Sequence, residues 1–114
     1  MRFYFHPVAD DEFDKAVQYY QEYQPGLGLR FAGEVYSAIN RIIKFLNSFS
    51  RLSKNTRRCM LNRFPYGVIY QMQHNTIHII AVGHLNRRPG YWRNRVWLYC
   101  GQRQLLFNMT TIIT

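Results

Sequence analysis

After Glu34 the chain contains no carboxylate side chain at all. Its six acids, Asp10, Asp11, Glu12, Asp14, Glu22 and Glu34, meet three bases within residues 1–34, a local charge of −3. Residues 35–114 hold the other 12 bases and stand at +12. Such an 80-residue stretch sets up a field that draws anions. Nucleic acid, an acidic protein segment or ribosomal RNA would each satisfy it. A basic surface kept for solubility is the plainer alternative, but solubility does not require excluding every acid.

Cysteine is scarce as well. Cys59 and Cys100 cannot make a zinc site alone, and no nearby ligand completes one. They read as reduced core residues, and neither metal nor cofactor is expected. No run approaches the roughly 20 apolar residues of a membrane span. No signal-peptide pattern opens the chain, because residues 2–14 alternate polar and apolar and carry four acids. The cytoplasm is the expected compartment, with no membrane partner. Internal repeats and low-complexity segments are absent too. What is present suffices for a core: 114 residues, 47% apolar and 17% aromatic, read as one domain that is ordered despite its charge.

Periodicity divides the chain. Residues 2–6 alternate aromatic with polar and end at Pro7, a first strand. Residues 9–24 follow as a helix, with Asp10, Asp11 and Glu12 complementing the dipole of its first turn. Phe13, Ala16, Val17 and Tyr20 form its buried stripe. Pro25 and Gly26 break the pattern, and a second helix over 29–46 completes an antiparallel hairpin. Residues 47–56 read as loop. Strands are then expected at 57–62, 66–73 and 76–83, the last two joined as a β-hairpin. Residues 84–95 are a basic, aromatic loop. The order β-αα-βββ implies an α+β domain, with the helical hairpin packed on one face of a small, antiparallel-rich sheet.

The stretches FHPVADDEFDKAVQYY, PGLGLRF, RRCMLNRFPYGVIYQ and AVGHLNRRPGYW, in this order and spacing, resemble the ParE/RelE superfamily of bacterial type II toxins. The resemblance covers residues 3–95 and marks 1–95 as the toxin domain. It implies the RelE/ParE-like fold, growth inhibition, and a cognate antitoxin that wraps the protein in a hetero-oligomer. The basic segment suggests that this antitoxin is acidic and amphipathic. Residues 96–114 lie outside the resemblance as an apolar, β-prone C-terminal extension. That tail has the composition of an edge strand, an antitoxin-docking segment or a self-association element, or it has no role.

Two chemistries follow from the resemblance. RelE-like members cleave messenger RNA in the ribosome, which needs a base for the 2′-hydroxyl, positive charge on the phosphorane and a proton donor. Arg58, Arg63, His84, Arg87 and Tyr91 are the candidates for that metal-independent endoribonuclease. The match is incomplete: Lys54 is a partial counterpart of the family's lysine pair, and two family arginines fall at Leu85 and at Asn62, beside Arg63. ParE-like members inhibit DNA gyrase and need a binding surface, not a catalytic set. Arg58, Arg63, Arg87, Arg88, Tyr91, Trp92, Arg93 and Arg95 supply one, rich in the residue types of binding hot spots and presented by a Pro89–Gly90 turn. This reading fits better. An inactive toxin or a non-toxic nucleic-acid-binding module are further alternatives. Plainer roles are open for single residues: packing for His84 and His78, a strand start at Phe64–Pro65–Tyr66, a fold-back of Trp92 over the sheet, and a helix start at His6.

Overall fold

Alternation at the start of the chain produces β1, Arg2–Phe5, with Phe3 and Phe5 turned to the core and Arg2 and Tyr4 exposed. The computed structural model describes residues 2–96. α1 spans Pro7–Tyr23 and so begins two residues before the expected position. Pro7 takes the first helical place, where a missing N–H costs nothing, and His6 Nδ1 accepts the Val8 N–H at 3.1 Å. His6 is therefore the helix-start residue expected of it. α2 spans Leu27–Lys44, again two residues early, because Gly26 at φ 89° turns the chain directly into it. The hairpin closes tightly at Gly28, where a Cβ would sit 2.5 Å from the Val17 carbonyl oxygen.

The strands β2 (Ser50–Arg51), β3 (Arg57–Met60), β4 (Tyr66–Gln73) and β5 (Thr76–His84) complete a five-stranded sheet of order β1-β5-β4-β3-β2. β1 runs parallel to β5, and the remaining pairs are antiparallel. The segment read as loop thus contributes a two-residue strand, pairing Ser50 with Arg58 and Arg51 with Arg57. β3 stops short of residue 62 because the Asn62 and Arg63 N–H groups leave the sheet for Glu34 Oε1 on α2, at 3.0 and 3.1 Å. The β4–β5 hairpin turns through His74 and Asn75 at φ 52° and 58°, the left-handed pair that matches strand twist.

Both helices lie on one face of the sheet, so the α+β class and the element order are as expected, with β2 added. Phe13, Phe31, Val35, Ile39 and Ile42 meet Cys59, Val68, Tyr70, Ile77, Ile79 and Val82 in the main core. Cys59 is a buried free thiol. Cys100 and the expected extension, apart from Val96, lie outside the described residues. No helix among the described residues is long and apolar enough to cross a membrane. A register shift at Ile69/Tyr70 leaves Ile79 paired with Tyr70 and Ala81 with Ile69. Ile80 is the extra residue, and Ile80 and Ala81 both join a second, smaller cluster on the outer face.

Candidate functional site

β1 ends at Phe5, opposite Ile79, while β5 continues to His84. On the side away from β4, backbone groups of β5 beyond Ile79 consequently lack a strand neighbour and need partners. Glu12, on the first turns of α1, supplies one: its Oε1 accepts the Val82 N–H at 3.1 Å. The same carboxylate binds Arg95 Nη1 at 2.9 Å and Arg87 Nη1 at 2.7 Å. Arg95 Nη1 also donates to the Ile80 carbonyl at 3.2 Å. One acid from the helical layer therefore ties the 84–96 loop to the strand, through groups whose exposure is only 13% for Glu12 and 9% for Arg95.

Beneath the loop lies a bare patch of sheet. Gly67 and Gly83 face each other across β4 and β5. The Tyr91 phenol lies on Gly83, and a Cβ there would come within 1.7 Å of its hydroxyl oxygen. The Arg58 side chain lies on Gly67, with its Cδ 2.8 Å from where a Cβ would stand. Arg87 stacks over the Tyr91 ring at 3.8 Å, and Arg95 sits 5.4 Å from the same ring. Burial, followed by the Glu12 charge, raises the Tyr91 pKa against the opposing pull of Arg87, Arg95 and Arg58, so the phenol stays protonated. Trp92 packs on Ile69, Ile80 and Ala81 and closes the outer face.

The resulting pocket, about 170 Å³, is lined by Arg58, Arg87, Arg88, Tyr91, Trp92 and Arg93 with the Pro89–Gly90 turn, and no carboxylate among the described residues lines it. Of the eight residues expected to form the surface, these six come together. Trp92 and Arg95 do not face solvent: they are 5% and 8% exposed. Trp92 folds back over the sheet and forms part of the pocket wall, whereas Arg95 has its charge taken up by Glu12 and does not line the pocket. Arg63 is on the opposite side, exposed beside Tyr20, Leu27 and Glu34 near the hairpin turn. The β3–β4 connection carries it away from Arg58. His84 is at the pocket wall, but its Nδ1 accepts the Asn86 N–H at 3.1 Å and its ring meets Tyr66 at 5.4 Å. His78, expected to be structural, is buried beneath Tyr4 with its pKa lowered by desolvation to about 4.

In the sequence Glu12 reads only as a complement to the helix dipole, and Gly67 and Gly83 carry no assigned role. A glycine inside a strand is the usable signal, since it marks a close approach of something to the backbone. Two such glycines in consecutive hairpin strands point to a shared floor.

No curated protein matches this chain. Among solved structures, one described as "Chromosomal ParDE TA system from P. aeruginosa" is similar in fold, with a TM-score of 0.65 at 17% identity, covering 74% of this chain and 95% of that one. The family model for the ParE toxin of type II toxin-antitoxin system, parDE, matches residues 3–89. That span runs from β1 through β5 into the arginine-bearing loop, and with it this chain belongs to the ParE toxin family of type II toxin–antitoxin systems.

Proposed function

We propose that this chain is the toxin of such a pair, that it inhibits growth by binding DNA gyrase and blocking replication, and that a cognate acidic antitoxin neutralises it. The observation that supports this most is the acid-free outer pocket, which holds arginine forks around a flat aromatic ring. These side chains dominate binding hot spots, and the Glu12 clasp on Arg87 and Arg95 holds the loop that carries most of them before any target arrives. Arg58, Arg87, Arg88, Tyr91 and Arg93 make the contact surface, with Trp92 and Arg95 supporting it. The candidates for ribosome-dependent RNA cleavage are less suited to act as its base: Tyr91 keeps its proton and is turned onto Gly83, and His84 is engaged with Asn86 and Tyr66.

The antitoxin reading rests on charge. A disordered acidic segment folding onto a surface of this sign covers much area, and the expected affinity is nanomolar or tighter at physiological salt. Arg88 and Arg93 are exposed and outside the Glu12 clasp, so Arg88→Glu with Arg93→Glu leaves the fold intact. Pulse labelling after induction tests the target. Thymidine incorporation falls before methionine incorporation for the wild type, and neither falls for the folded double variant. An early loss of methionine incorporation would move the target to the ribosome, and a fully toxic, folded double variant would remove the loop from the mechanism.

A further inference from the structure

The geometry points to a phosphodiester site in the outer pocket: Arg58, Arg88 and Arg93 take a backbone phosphate of DNA, so the toxin reads the nucleic acid of a gyrase–DNA complex as well as the protein. The assignment rests on the gyrase reading and gives its basic pocket a ligand. Three observations carry it.

First, Arg58 Nε is buried and has no hydrogen-bond acceptor among the described residues. Buried donors are almost always satisfied, and the side chain that carries this one lines the pocket, where a small shift of the guanidinium on binding would bring it to a ligand oxygen. Second, the arginines of the loop divide by function. Arg87 and Arg95 are committed to Glu12, whereas Arg88 and Arg93 form no ion pair among the described residues. Their planar forks match the paired oxygens of a phosphate. Third, the pocket is not isolated. Arg58 also lines a neighbouring cavity of about 410 Å³ with Arg41, Ser48, Ser50 and Asn62, and no carboxylate lines that one either. A guanidinium shared by two acid-free cavities makes a track, with hydroxyl and amide donors of the kind that contact phosphates beside it. A phosphodiester backbone, which carries one charge on every nucleotide at regular spacing, suits a track of this kind.

Fluorescence anisotropy with the full chain, a labelled 16-base-pair DNA duplex and a glutamate-rich peptide of equal charge tests the assignment. The duplex is expected to bind more tightly than the peptide, with a logarithmic salt dependence that loses roughly one unit for each phosphate-contacting arginine removed. Arg93→Gln and Arg58→Lys each weaken duplex binding about tenfold, the second because a lysine keeps the charge and loses the fork. Arg30→Gln, near the hairpin turn, changes neither affinity nor slope. Circular dichroism verifies the fold of the Arg58 variant, and exposed Arg93 carries the test if that variant unfolds. Equal binding of peptide and duplex, or a slope untouched by Arg93→Gln, overturns the site. Gyrase capture in the absence of DNA separates the two readings: capture without duplex binding removes the phosphate site alone, and duplex binding without capture removes the gyrase target alone.

Discussion

The two faces of the sheet are closed by different physics. On the inner face, Phe31 is fully buried and its ring lies 4.9–6.2 Å from those of Tyr66, Phe64, Tyr20 and Phe13. Closure there is apolar and spread over many side chains. On the outer face, Trp92 covers three small or branched residues, and the rest is held by one carboxylate with two arginines and one backbone N–H. Apolar closure is non-directional and shared. Ionic closure is directional and concentrated in Glu12, and it leaves donors facing solvent for a ligand. The inner face thus stabilises the fold, and the outer face holds a charged loop ready for use.

Mutation of each face sharpens that contrast. The largest loss is expected for Phe31→Ala, about 4 kcal/mol by urea unfolding, since a large ring leaves a cavity in the main core. Glu12→Ala follows at about 3 kcal/mol, because it strands the Arg95 charge under the loop and frees the Val82 N–H. Hydrogen exchange at the Val82 amide should accelerate in that variant, while the amides of α2 keep the protection that the remaining global stability allows. An unchanged Val82 rate would mean that the clasp does not hold the strand edge.

Gly83→Ala should cost about 1–3 kcal/mol by displacing Tyr91, without changing any charge. The cost should vanish in a Tyr91→Ala background, so a double-mutant cycle with no coupling would contradict the stacked floor. The smallest effect is one of pH. His78 is held near a pKa of about 4 against an ordinary 6.5, so the unfolded chain binds its proton first. Stability from this residue is present above pH 6.5 and is lost as pH falls toward 4, by about 1–2 kcal/mol at pH 5. His78→Gln should flatten that part of the pH profile, measured by urea midpoints at pH 5 and pH 7.

The helices and β4 were legible because their signals are local. Phe13, Ala16, Val17 and Tyr20 carry a helical period, and residues 66–73 were bounded correctly on both sides. The helix starts were less so, since His6 and Gly26 set them through a side-chain cap and a positive φ. β2 was missed because two residues carry no period, and only pairing with Arg57 and Arg58 makes them a strand. The same limit applies to the site. The arginines of the 84–95 loop stood out by composition, yet composition does not separate Arg88 and Arg93, which face solvent, from Arg95, which is turned inward to a carboxylate 83 residues away.

The α+β order, the helical hairpin, the acid-free +12 segment and the resemblance to ParE/RelE toxins are all readable from the residues alone. Each of these is written in neighbouring residues or in summed charge. The Glu12 clasp on the loop, the floor made by Gly67 and Gly83, and the exclusion of Arg63 from it emerge only once the chain is folded. Those outcomes depend on where β1 ends against β5 and how the β3–β4 connection leaves the sheet. Pairing register is a property of two segments at once, and neither segment alone encodes it.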